Sequence, residues 1–161
     1  MNKWMVGVLL ATAWQLPALA VERSNAEDAV ALVNKAIDYL KKNGPEKSIA
    51  EFNTLTSPFN STSDINKKGD LYLFMFNAKQ VTAGQLVHGK NPKIVGKDLS
   101  EMRDADGVYL IREIFKTCNS KEGKGWVNYK WPNPVTNTVE AKQSYVVKVD
   151  DFCLGTGIYK P

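Results

Sequence analysis

Histidine occurs once in this 161-residue sequence, at His88, and cysteine twice, at Cys118 and Cys153. One histidine rules out a two-histidine metal site or a paired-histidine mechanism within a single chain. Two cysteines are too few for a disulfide-dense miniprotein, and they lack both the C-x-x-C spacing of a redox motif and the companions a zinc site needs. There is no glycine-rich phosphate loop, no nucleophile elbow and no Ser, His and Asp set in a recognisable context, so the residues point away from an enzyme and imply no cofactor. Charge of one sign is also scarce. Lys and Arg number 21 against 17 Asp and Glu, a net +4, and the basic residues are scattered in short pairs such as Lys41-Lys42 and Lys67-Lys68. A nucleic-acid surface would cluster them on one face, so no nucleic-acid partner is expected.

With 43% hydrophobic and 24% charged residues, the composition fits one soluble globular domain. The chain opens on Lys3, an apolar run from Trp4 to Ala13, the breakers Gln15 and Pro17, and the small-x-small pattern Ala18-Leu19-Ala20. This predicts a secretory signal peptide over residues 1–20 and a mature chain of residues 21–161. A retained anchor is the alternative, although the run is interrupted well short of the roughly 20 apolar residues that span a bilayer. No later segment is long and apolar enough to cross one. An exported compartment favours a disulfide between Cys118 and Cys153, worth about 4 kcal/mol if loop closure alone counts. Two buried free thiols are the alternative.

Along the mature chain, Ser24-Asn25-Ala26-Glu27 reads as a capping box. Ala29, Val30, Leu32, Val33, Ala36, Ile37 and Leu40 then form one helical stripe. Asn43-Gly44-Pro45 ends that helix, and a short second helix follows over 46–52. Residues 54–69 read as a loop, within which Asn60-Ser61-Thr62 matches a glycosylation acceptor. The continuous run 71–76 suits a strand buried on both faces, and residues 81–88 a second strand. Residues 98–116 look helical at least in their second half. Three further strands, 125–131, 142–149 and Phe152–Tyr159, finish the chain, with Asp150-Asp151 as a tight hairpin between the last two. The predicted class is α+β, a mainly antiparallel five-stranded sheet with helices packed on it.

Several of these stretches, in this order, resemble one family: Gly69-Asp70-Leu71-Tyr72-Leu73-Phe74, Asn91-Pro92-Lys93-Ile94-Val95-Gly96-Lys97-Asp98-Leu99, Asp104-Ala105-Asp106-Gly107, the run from Gly125 to Pro134, and Gly155-Thr156-Gly157-Ile158-Tyr159. They are similar to the single Cache sensor domains of bacterial chemoreceptors and membrane histidine kinases. The resemblance implies a PAS-like sheet with a long N-terminal helix across one face, additional short helices, and a small-molecule pocket on the other face. Such pockets commonly take short organic acids such as acetate, propionate or pyruvate. The signal peptide implies a periplasmic location, and a free sensor domain would act with a membrane receptor, histidine kinase or transporter as partner. Receptors of this family carry a transmembrane helix on each side of the domain, so residues 21–161 are expected to be the sensor module alone.

Six residues are candidates for holding a carboxylate. Arg112 offers a planar fork for two charge-assisted hydrogen bonds if it faces the sheet, and is a solvated charge if it faces water. Alternation on the strand 125–131 puts Val127, Tyr129 and Trp131 on one face, where Tyr129 and Trp131 would wall a slot with polar handles. Lys142 and Tyr145 on the next strand are similar candidates, but a regular strand sends them to opposite faces. His88 ends a strand and is a pocket donor or an edge residue. Asp104-Ala105-Asp106-Gly107 invites a calcium reading, but the rest of a twelve-residue loop is missing, and an Asx turn capping the next helix fits better. The expected function is a non-catalytic binder of a small carboxylate. The alternative is a protein-interaction module that keeps the fold without the pocket. Convergence of Arg112, Tyr129 and Tyr145 on one cavity would favour the binder; scattered positions or a filled cavity would favour the module.

Overall fold

The computed structural model describes residues 22–160; the expected signal peptide, residues 1–20, lies outside them. Helix α1 (Ala26–Asn43) starts at Asn25, whose Oδ1 accepts from Asp28 N at 2.9 Å while Asp28 Oδ2 accepts from Asn25 N at 3.0 Å. The capping box is thus one residue later than Ser24 and Glu27 suggest. Ser24 is committed elsewhere: its N–H and Oγ–H both donate to the Asp70 carboxylate, at 2.8 and 2.5 Å, tying the start of α1 to the segment that leads into β1. Gly44, at φ 77°, turns the chain, and Pro45 opens α2 (Pro45–Asn53), as a residue needing no N–H partner can.

The sheet contains β1 (Phe74–Asn77), β2 (Gln85–His88), β3 (Lys124–Pro132), β4 (Val139–Val149) and β5 (Phe152–Tyr159). Its order is β2-β1-β5-β4-β3 and every neighbour is antiparallel. The expected α+β class and five-stranded antiparallel sheet are therefore present. Asp150, at φ 50°, makes the tight turn between β4 and β5. One face of the sheet is covered by α1 and α2, which seal Leu73, Met75 and Leu154 under Leu32, Ala36, Leu40 and Phe52. The other carries α3 (Leu110–Cys118), whose Leu110, Ile111 and Ile114 pack with Phe74, Phe76, Val127 and Val146. Cys118 and Cys153 are joined, with Cα atoms 5.9 Å apart, fastening the end of α3 to the head of β5.

Three boundaries, those of β4, β1 and β2, differ from expectation, while the helical second half of 98–116 is present as α3; β4 starts at Val139 rather than at 142. Pairing in β1 begins only at Phe74, because Leu73 N donates to Asn60 Oδ1 at 3.0 Å rather than to a strand. Residues 81–83 form a 3-10 turn and Gly84 bends the chain at φ 86°, so β2 is confined to four residues. Residues 98–109 are irregular; Asp104 Oδ1 accepts from Asp106 N and Val108 N, and its Oδ2 from Lys130 N at 2.7 Å. That is an Asx turn anchored to β3, but it does not cap the next helix as expected: the N-cap of α3 is Tyr109, with no side-chain hydrogen bond. Asn60, the glycosylation acceptor by pattern, is fully buried and its Nδ2 donates to Phe52 O and Thr54 O. Its amide is a structural strut, inaccessible to a glycan in the folded chain.

Candidate functional site

Antiparallel register decides which side chains meet on the α3 face. Tyr129 pairs with Lys142, and Lys142 with Tyr159, so β3, β4 and β5 present a row of tyrosine, lysine, tyrosine. Directly opposed residues share a face and touch, so the lysine is flanked by phenols on both sides. The space for its stem is made by Gly157: a Cβ there would lie 2.3 Å from Lys142 Cε and from Ser144 Oγ. Gly155 does the same for the ring of Phe74, where a Cβ would sit 2.6 Å from Cζ. The Gly-Thr-Gly stretch is therefore a relief cut into the sheet, with Thr156 facing the other way and donating to Tyr72 O at 2.7 Å.

Around this row lies a narrow cavity of about 20 Å³, room for about one water. It is lined by Tyr72, Gln85, His88, Tyr129, Trp131 and Lys142, with Leu110, Ile111 and Ile114 of α3 closing it. Lys142 is 2% exposed. Its Nζ donates to Tyr72 Oη at 2.7 Å and lies 4.0 Å from the centre of the Tyr72 ring and 5.0 Å from that of Tyr159. No carboxylate among the described residues pairs with it. Burial accordingly pushes its pKa well below the ordinary lysine range. The hydrogen bonds run one way: Tyr159 Oη donates to Pro132 O at 2.8 Å, so its contact with Tyr72 Oη at 3.2 Å is filled by the Tyr72 proton. Tyr72 is left accepting from Lys142. Burial raises the pKa values of Tyr72, Tyr129 and Tyr159, so all three remain neutral phenols.

His88 is held in one tautomer. Its Nδ1 accepts from Asn91 N at 2.9 Å and from Lys90 N at 3.3 Å, which places the ring proton on Nε2. Burial first, and the nearby Lys142 second, lower its pKa to about 3, so the ring is neutral. Among the described residues Nε2–H has no acceptor. Gln85 Nε2 donates to Val87 O at 2.9 Å while its buried Oε1 has no partner. The cavity therefore combines an apolar aromatic wall with spare donors on a lysine and a histidine and one spare acceptor, Gln85 Oε1, a few polar groups in an apolar slot of the kind that orients a small ligand.

Residues 20–160 match the Cache domain family. The chain belongs to the Cache family. A 76-residue stretch is 36% identical to the methyl-accepting chemotaxis protein McpP of Pseudomonas putida, covering 46% of this chain and 14% of that protein. Another of 98 residues is 30% identical to the sensor histidine kinase MctS of Rhizobium johnstonii, covering 60% of this chain and 20% of the kinase. The chain thus spans a fifth or less of the length of these relatives. Among solved structures, a methyl-accepting chemotaxis protein from Vibrio parahaemolyticus shares the fold at a TM-score of 0.65 and 23% identity, over 83% of this chain and 86% of that one. A Cache chemosensory domain described for its recognition of carboxylic acids superposes at a TM-score of 0.63 with 25% identity, over 84% and 93% of the two chains.

In this Cache domain, four of the six expected site residues, His88, Tyr129, Trp131 and Lys142, line one cavity. Arg112 does not. Its Nε donates to Ser100 O at 3.0 Å, its terminal nitrogen pairs with Glu101, and its guanidinium lies 4.5 Å from the centre of the Tyr109 ring, with 48% of the side chain exposed. The irregular segment 98–109 draws Arg112 outward and supplies it with an acid. Tyr145 is on the opposite face, its ring 5.1 Å from that of Trp126 beside α1, as strand alternation requires once Lys142 points inward. The three residues named as the discriminating set are therefore scattered. Tyr72, Tyr159 and Gln85 were not among the candidates. Tyr159 is legible after the fact, since counting outward in equal steps from the Asp150-Asp151 turn sets it opposite Lys142. A larger hollow of about 240 Å³ lies between α1 and residues 64–68. Its charges are mixed and partly satisfied within the chain, with Lys68 Nζ 3.5 Å from Asp28 and Ser24 bound to Asp70.

Proposed function

We propose that this Cache domain is a non-catalytic, periplasmic sensor module that binds a short monocarboxylic acid of the acetate, propionate or pyruvate class. It would act with a membrane-bound receptor, histidine kinase or transporter in signal transduction. The observation that carries the proposal is Lys142: an amine buried among three aromatic rings with no counter-charge. Leaving such a group unpaired is costly, and a carboxylate is the partner that removes the cost. One cation offers neutralisation to one carboxylate, which disfavours dicarboxylates. The unmatched Nε2–H of His88 supplies a second donor, and Tyr72, Tyr129 and Trp131 supply the apolar slot. Carboxylic acid recognition by a solved Cache chemosensory domain of the same fold supports the same reading.

The interaction module remains the second reading, because the cavity is narrow and Arg112 and Tyr145 stand outside it. Admitting an acid of three or four heavy atoms requires α3 or Trp131 to shift outward. A thermal-shift screen of the purified protein against short organic acids, amines and amino acids separates the two. A binder at a hundredfold excess over its Kd gains about 2.7 kcal/mol, or roughly 5 °C or more in a domain of this size. A shift with monocarboxylates alone supports the sensor; no shift with any class supports the interaction module.

A further inference from the structure

The charge of the cavity follows from what faces Lys142. From the lead into β1 comes Tyr72, from β2 His88, from β3 Tyr129 and from β5 Tyr159, all neutral. Helix α3 contributes only Leu110, Ile111 and Ile114. On β4 itself, Glu140 is committed to Arg23 at 2.5 Å and to Asn133, Thr136 and Thr138, while Asp70 takes both donors of Ser24. No carboxylate is left over to hold an ammonium, and the aromatic faces around Nζ return only part of the hydration it loses.

We infer that the site takes up its acid together with one proton, so that the empty site holds a neutral amine at Lys142 and the filled site an ammonium paired with the bound carboxylate. The inference rests on the carboxylate-binding reading above and deepens it. The balance is simple: one carboxylate and one proton from solvent enter, and the net charge of the complex equals that of the empty domain. Burial lowers the pKa of Lys142 in the empty cavity, and an anion within hydrogen-bond reach raises it. Between those two values each rise of one pH unit weakens binding about tenfold. The domain then responds to the concentration of undissociated acid, the product of anion and proton activities, and reads acidity and metabolite together.

Isothermal titration of the full protein with acetate, propionate and pyruvate tests this, run near neutral pH in two buffers that differ in protonation enthalpy. The expected result is net proton uptake on binding, with Kd rising by up to tenfold per pH unit over the range in which the empty site is deprotonated and the filled one is not. Lys142→Arg, whose guanidinium is always charged, should bind without proton uptake. Binding of any of these acids to the unaltered protein with no proton uptake and a flat pH profile overturns the inference and leaves the carboxylate reading standing. Uptake that persists in Lys142→Arg assigns the proton to His88 and overturns it as well. Failure of every acid to bind in any buffer removes the carboxylate reading and this inference with it. The buffer comparison on the unaltered protein decides the matter even where the variant does not fold.

Discussion

The two faces of the sheet are built on different principles. Under α1 and α2 the side chains packed on the sheet are apolar, Leu32, Leu40, Phe52, Leu73, Met75 and Leu154, and the buried amide of Asn60 beside them has its donor and acceptor matched by backbone groups. Under α3 the apolar packing of Phe74, Phe76, Val127 and Val146 gives way at one end to Lys142, His88, Gln85 and Tyr72, all nearly inaccessible to solvent. Burying apolar area stabilises, whereas burying polar groups with spare donors does not. One face is therefore mostly hydrophobic core, and the other gives up some of that stability to a buried polar cavity.

The largest expected effect is on the fastening of the α3 face. Replacing Cys118 and Cys153 together by Ala removes a closure over a sequence separation of 35 residues and should lower unfolding free energy by about 4 kcal/mol in denaturant titrations. On the other face, Leu32→Ala, at a fully buried position of α1, should cost about 3 kcal/mol and leave acid affinity unchanged. Gly157→Ala sharpens the contrast. The added methyl meets Lys142 and Ser144, so the stability loss of about 2 kcal/mol is smaller, yet acid binding should be abolished because the lysine stem has nowhere to lie. Calorimetry of the three proteins side by side would show whether stability and binding separate by face. Equal loss of binding in Leu32→Ala would break the comparison.

How much of this was legible beforehand follows the range of the interactions involved. Helix α1 and the β4-β5 hairpin are written in local periodicity and in the Asp150-Asp151 turn, and they appear where expected. The head of β1 is not local: Asn60 intercepts Leu73, and an asparagine acting across a loop has no signature in a window of neighbours. The site divides in the same way. Tyr129, Trp131 and Lys142 follow from strand alternation. Arg112, left open between pocket and water by the sequence, turns to water because its direction is set by Ser100 and Glu101 in the irregular stretch ahead of α3. Tyr72 was hidden inside a run that looks like plain core, where its hydroxyl accepts from Lys142 at the cavity.

A smaller effect belongs to the polar cluster at the edge of the α3 face. Hydrogen bonding from Arg23, reinforced by Thr136, Asn133 and Thr138, lowers the Glu140 pKa to about 2 from an ordinary 4.5. A group with a depressed folded pKa contributes stability in full above its unfolded value and loses it as pH falls through the folded one. Glu140→Gln should therefore cost about 1 kcal/mol near neutrality. The gap between variant and parent should close between roughly pH 4.5 and 2, as thermal melts across that range would record.

The most direct test of the account compares the unaltered protein with Lys142→Met, titrating propionate into each and recording unfolding free energy for both. Methionine fills a similar volume without a donor or a charge. Propionate binding should disappear while stability is kept or increased, because an unpaired buried amine is gone. Propionate binding of equal strength in Lys142→Met would contradict it.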